Sequence, residues 1–170
     1  MPIECTTVGM KFAYCVETTA GTRPTTGFTV LNGIVSVGAI TITQNPLQVT
    51  LPAEKKYRYL KGKDDISGEV DVVMYNEDSY LTGWETMRTA AETARARGKS
   101  TWFAFLPDGN HKAFMFTASP GVLGSGGLSD NMIYEVNTSL TVEDIGGYVE
   151  KPTDKANSDK SEVIQHGKQD

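Results

Sequence analysis

Glu54-Lys-Lys-Tyr-Arg-Tyr-Leu-Lys-Gly-Lys63 is a basic, aromatic run; Asp64-Asp-Ile-Ser-Gly68 follows it, and then Glu69-Val-Asp-Val-Val-Met-Tyr75. Residues 54–63 hold five bases and one acid, whereas residues 64–85 hold seven acids and no base. Two adjacent blocks of opposite sign suit copies that meet end to end better than they suit a catalytic pocket. Asp64 to Gly68 reads as a turn, rich in residues that favour one. Glu69 to Tyr75 alternates as a strand does, with Val70, Val72 and Met74 on one face and Glu69, Asp71, Val73 and Tyr75 on the other.

Upstream, Gln44 to Leu60 lacks firm periodicity and contains Pro46 and Pro52. Its Val49, Leu51, Tyr57, Tyr59 and Leu60 argue against disorder, which is poor in such residues. The stretch reads as an extended loop or hairpin that buries its apolar side on something else, a second subunit included. Phe28 to Thr43 reads as β throughout, with Gly33 and Gly38 as bends and Asn45-Pro46 as its end. Lys11 to Glu17 is a strand with apolar residues on both faces, and Thr18 to Gly27 a loop.

Downstream, Ser79 to Arg97 is the one strong helix, with Asp78 or Ser79 as cap and Gly98 as stop. Leu81, Trp84, Met87, Arg88, Ala91 and Ala94 fall on one stripe. Thr101 to Leu106, the turn Pro107-Asp-Gly-Asn110 and Lys112 to Ser119 make an aromatic hairpin. Pro120 to Asn131, with four glycines, reads as a mobile loop. Asn131 to Glu143 alternates strictly. Tyr134, Val136, Thr138, Leu140 and Val142 face the core, and Glu135, Asn137, Ser139, Thr141 and Glu143 face water. Gly146-Gly147 closes the domain. The division expected is an N-terminal arm at 1–9, a β domain at 10–150 and a flexible tail at 151–170.

The 170 residues fit one domain, and its hydrophobic content of 39% is low enough to suit a thin subunit that completes its burial against neighbours. Residues 151–170 carry four bases and four acids, so residues 1–150 hold the whole net charge of −5. An acidic body does not grip phosphates, which needs clustered Lys and Arg. No apolar run approaches the ~20 residues of a membrane span, and the start lacks a signal peptide, so a product made in the cytoplasm without a membrane anchor is expected. Cys5 and Cys15 are expected as reduced thiols.

No chemistry-bearing constellation emerges. His111 and His166 are the only histidines. The acidic pairs Asp64-Asp65, Glu77-Asp78 and Glu143-Asp144 do not have calcium-loop spacing. Gly121-Val-Leu-Gly-Ser-Gly-Gly127 lacks the Lys of a phosphate loop and precedes a strand. Ser125 has no nucleophile elbow. No enzyme, metal or cofactor is expected. The basic run admits three readings: a solvated loop, a protein contact, or a single-strand stacking patch that the acids after it weaken. The polar set Glu69, Asp71, Glu135, Asn137, Ser139, Thr141 and Glu143 is either an ordinary wet face or the lining of a channel built by several subunits.

Taken in order, several segments resemble the major tail tube proteins of long-tailed, non-contractile bacteriophages. They are Gly9-Met-Lys-Phe-Ala-Tyr-Cys-Val-Glu-Thr18 with Gly21-Thr-Arg-Pro24, the loop from Thr50 to Gly62, Asp65-Ile-Ser-Gly68, the acidic entry to a single helix, the hairpin at 101–117 and Thr141-Val-Glu-Asp144. Order and spacing carry the resemblance, over most of residues 9–150. It implies a mainly β (α+β) subunit, a sandwich or barrel with one flanking helix and a long extended loop. Copies would form hexameric rings that stack into a tube, through which viral DNA passes without specific binding. Tail tip or initiator, tape measure and tail terminator proteins would be its other partners. Gln44 to Lys63 matches the loop that reaches the next ring, with Lys55, Lys56, Tyr57, Arg58, Tyr59, Lys61, Asp64 and Asp65 as contacts. The polar set above would line the lumen. A large added C-terminal surface domain is not expected.

Overall fold

The computed structural model describes residues 7, 9–66 and 68–154. Its elements are β1 (Lys11–Val16), β2 (Thr26–Leu31), β3 (Ile34–Val37), β4 (Ile42–Gln48), β5 (Tyr59–Ile66) and β6 (Glu69–Tyr75), then α1 (Asp78–Ala96). β7 (Thr101–Leu106), β8 (Lys112–Pro120), β9 (Gly124–Ser125), β10 (Glu135–Glu150) and β11 (Thr153–Asp154) follow. The main sheet runs β11-β2-β1-β7-β8-β10-β6-β3, with β9 added to β10; β4 and β5 form a separate two-stranded sheet. All pairings are antiparallel except β11 with β2.

β2 and β3 stand toward opposite ends of that path, yet Leu31 and Ile34 are consecutive strand ends. Three Cα steps span at most about 11 Å. The sheet is therefore rolled until its two ends nearly meet, as a barrel with one open seam. A cleft of about 560 Å³ lined by Phe12, Leu31, Ile34 and Phe105 marks the seam.

Alternation decides what fills the roll. Val70, Val72 and Met74 of β6 and Val136, Leu140 and Val142 of β10 point inward and are buried, as their period of two requires. Phe12, Phe103 and Phe116 continue the same layer across β1, β7 and β8, with ring centroids 5.6 and 5.7 Å apart. Trp84 and Met87 of α1 complete it. The intervening residues of the same strands, Ala13, Ala104, Ala113 and Met115, form a second buried cluster with Phe28 on the other face. Two covered faces explain why β1 and β7 read as unbroken apolar runs.

Glu17 directly follows β1 and is buried. Its carboxylate accepts hydrogen bonds from Trp102 Nε1 (2.9 Å) and from the amides of Gly21 (2.9 Å) and Ser100 (3.1 Å). Burial disfavours the charged form, but these three bonds together outweigh it and hold the carboxyl below its ordinary range. The folded value lies below the unfolded one, so this stabilisation is present above the unfolded carboxylate value near ~4.3 and is lost as pH falls through the folded one. Glu17→Ala, which leaves three donors without their acceptor, is expected to cost roughly 2–3 kcal/mol at pH 7. The cost should shrink at pH 3. Urea melts of both chains at the two pH values check this; an equal cost at both would refute it.

Helix α1 covers the expected span. Trp84, Met87, Ala91 and Ala94 are its buried stripe. It stops at Gly98, whose φ of 73° no β-branched residue would adopt cheaply. The bonds Lys99 N to Ala94 O (2.9 Å) and Gly98 N to Arg95 O (3.0 Å) make this end a Schellman motif. The start differs from expectation. Glu77 is the N-cap and no side chain caps the helix; the Ser79 hydroxyl donates to Glu77 Oε1 instead (3.1 Å).

Five further expectations are corrected. β4 runs through Asn45-Pro46, because a bulge between Gln44 and Pro46 accommodates the residue that has no N–H to give. Gly62 opposite makes room, since a side chain there would strike the Asn45 carbonyl. Asp64 and Asp65 belong to β5, held in register with Gln44 and Thr43. The glycine-rich stretch is tied to β10: Gly121 N donates to Ser139 O (2.8 Å) and Gly126 N to Glu135 O (2.9 Å). Glycine is required there by close approach, because a Cβ on either would collide with those carbonyls. β10 starts at Glu135, leaving Tyr134 outside it and exposed. It then continues through Gly146-Gly147 to Glu150, with bulges at Val142/Asp144 and Ile145/Gly147. Trp102 lies so close over Gly146 that only glycine fits. Past the expected domain end, Thr153–Asp154 pairs with Thr26–Phe28. Residues 1–6 and 8 of the expected arm and 155–170 of the expected tail, with Cys5 and His166, lie outside the described residues.

Candidate functional site

Two surfaces gather the residues singled out above. The first is the β4–β5 hairpin. All of β4 and most of β5 are exposed, and the two strands form a sheet of their own. An isolated two-stranded hairpin is marginal in water. This one is also apolar: Leu47 faces Leu60 across the strands, Val49 and Leu51 follow, and Leu51 and Tyr57 are 67% and 73% exposed. The twelve residue steps from Ile42 to the tip at Glu54 span at most about 40 Å. The hairpin is therefore an arm, rooted through Ile66 in the main core and packed beside β10.

Charge is sorted along the arm. Lys55, Lys56, Tyr57 and Arg58 make the tip, with Tyr59 where β5 begins; Lys61 lies midway, and Asp64 and Asp65 lie at the root. Arg58 bridges a half-buried Glu54 (3.0 Å) and Lys61 bridges an exposed Asp64 (3.7 Å). Asn45 Nδ2 donates to Asp65 Oδ2 (2.7 Å), which ties the root strands together. The seven acids that follow the basic run in sequence thus split between the arm's own root, the body strand β6 and the start of α1.

The second surface is the outer face of β6 and β10. Their register sets Thr141 opposite Glu69, Ser139 opposite Asp71, Asn137 opposite Val73 and Glu135 opposite Tyr75. Six of the seven polar positions thus share one patch. Glu143 is set apart by the bulge that follows Val142; its Oε1 accepts from the Ser119 hydroxyl (2.6 Å) and lies 4.0 Å from Arg95 of α1. β3, β6 and the whole of residues 113–150 contain no Lys, Arg or His. The patch is acidic and hydroxylic, without a base in its strands.

One feature escaped the sequence reading. Val122, Leu128, Met132, Ile133 and Tyr134 are all exposed, Leu128 to 88%. The unalternating run Met132-Ile133-Tyr134 was the available signal. Trp84 Nε1 donates to Gly121 O (3.1 Å), so the helix holds the base of this loop. His111 is exposed at the β7–β8 turn. Among the described residues no group of three His, Cys, Asp or Glu is placed to hold a metal, and no helix is long and apolar enough to cross a membrane.

No family model matches the chain, and no curated protein matches its sequence. Solved structures do match in shape. A chain of the anti-feeding prophage baseplate, solved by cryo-EM and six-fold symmetrised, aligns with a TM-score of 0.54 at 10% identity, over 83% of this chain and 92% of that one. A chain of the SPP1 tail tube aligns at 0.48 with 15% identity over 91% and 82%, and one from the tail of an empty gene transfer agent particle at 0.45 with 14% over 73% and 86%. The fold is the one found in the prophage baseplate chain: mainly β, largely antiparallel, with one helix.

Proposed function

We propose that this chain is the major tail tube protein of a long-tailed, non-contractile bacteriophage. It is made in the host cytoplasm and resides in the virion tail. Copies close into hexameric rings, the rings stack, and viral DNA leaves through the bore during ejection. The observation that carries this reading is the β4–β5 arm, an apolar hairpin that leaves most of its own surface in water. Exposed apolar area on this scale marks a surface that another molecule covers. Lys55, Lys56, Tyr57, Arg58, Tyr59 and Lys61 make the contact with the next ring, with Asp64 and Asp65 bracing the root.

The acidic face of β6 and β10 fits the wall of the bore. Glu69, Asp71 and Glu135 repel phosphates, and Asn137, Ser139 and Thr141 give small polar groups with no cation to hold the polymer. Glu143, paired toward α1, belongs to the rim of that wall. Tail tip or initiator, tape measure and tail terminator proteins are its other partners.

The likeness to a baseplate chain supports a second reading, a ring component that does not stack. Negative-stain microscopy of the purified chain separates the two. Long hollow tubes are the expected result, with the initiator added if growth needs it. Rings that never stack would favour the second reading, and monomers at every concentration would defeat both.

A further inference from the structure

The arm and the far part of the 121–134 loop, residues 127–134, stand at opposite ends of the same two strands. β5 ends at Ile66 and β6 begins at Glu69, opposite Thr141, so the arm leaves the body at that end. At the other end Tyr75 faces Glu135, which the loop immediately precedes. The six residue steps between Glu69 and Tyr75 separate the two ends by about 20 Å.

The loop has the character of a seat. Its backbone is held to β10 by the Gly121 and Gly126 amides, and the Thr138 hydroxyl donates to the carbonyl of Val122 (3.1 Å). Just beyond this held stretch, Leu128, Met132 and Ile133 are exposed to water. Asp130 sits among them, and no base occurs from residue 113 to residue 150. The arm is the complement: Leu47 and Leu60 on its length, Lys55, Lys56 and Arg58 at its tip. Each apolar surface lacks cover that the other can supply, and the signs of charge agree.

We infer that the 121–134 loop is the seat into which the arm of a second copy docks. Arm and seat are different patches at opposite ends, so the contact is heterologous. Every copy that docks leaves one arm and one seat free, and axial growth does not close. The inference rests on the tube reading and deepens it by naming the receiving surface.

Two full-length variants test it. Leu128→Asp with Ile133→Asp blocks the seat; Leu47→Asp with Leu60→Asp blocks the arm. All four side chains are exposed, so both variants should melt as the wild type does. In sedimentation velocity each variant alone should need a concentration higher by about a hundredfold or more to polymerise, the equivalent of two tenfold steps in affinity. An equimolar mixture should form pairs, of chains or of rings, that grow no further, because one intact arm meets one intact seat. Polymerisation of the seat-blocked variant at the wild-type concentration, or a mixture that forms no pairs beside a wild type that polymerises, overturns the seat and leaves the tube reading standing. A wild type that stays monomeric throughout overturns both.

Discussion

Replacing Lys55, Lys56 and Arg58 together by glutamate is expected to abolish tube growth while leaving the subunit folded. The three side chains are exposed at the arm tip, and the one bridge lost, Arg58 to Glu54, is a surface pair. Such pairs contribute about 0–1 kcal/mol, so the melting temperature should hardly move. Assembly should respond very differently. The tip changes sign while every surface proposed to receive or surround it remains acidic. Juxtaposed like charges cost several kcal/mol at an interface, whereas the native pairing contributes attraction. Because the surfaces are solvated, higher salt should partly restore growth. Sedimentation and microscopy at low and high salt make the measurement. Tubes of wild-type length from the reversed chain would show that the tip takes no part in stacking.

Trp84→Ala should produce the largest loss of stability. The indole is fully buried between the rolled sheet and α1, and its N–H donates to Gly121 O. Truncation of a buried tryptophan costs about 3–5 kcal/mol in transfer and cavity terms. The lost indole bond adds less, because the Thr138 hydroxyl still donates to Gly121 O (3.2 Å). Against a typical total of about 5–15 kcal/mol, the loss leaves a marginal or unfolded chain. Trp84→Phe, which keeps most of the volume but not the donor, should lose much less. Guanidinium melts rank the three chains; a wild-type midpoint for the alanine variant would mean that helix and sheet are held together elsewhere.

Most of the fold was legible because its signals are local. The alternation of Glu69 to Tyr75 and of Glu135 to Val142, the stripe ending in Ala94 and the aromatic hairpin each depend on neighbours two to four residues away. The errors fell where distant chain segments act on one another. Pro46 reads as a strand end, yet a bulge across from Gly62 carries the strand past it. Four glycines read as mobility, yet two of them are packed on β10, where any side chain would collide. Gly146 reads as a closing turn, yet it lies under Trp102 in a continuing strand. Glycine and proline report what a backbone is free to do; their surroundings decide what it does.

The candidate surfaces divide in the same way. Charge blocks and alternation identified the basic arm and the polar strand positions residue by residue. That Glu69, Asp71, Ser139 and Thr141 share one patch follows only from the pairing of β6 with β10, across about seventy residues of chain. The removal of Glu143 from that patch follows from a bulge that no local pattern announces.

By itself, then, the chain's order of residues determined its β class, its single helix, the faces of its main strands and the acidity of its body, because period and composition are properties of short windows. Only the tertiary structure decided that the sheet rolls nearly shut, that the extended loop pairs as two strands from Ile42 through Pro46 to Ile66, and that an apolar loop lies at the far end. Those outcomes are set by register and burial among segments far apart in sequence, and no window of the chain contains them.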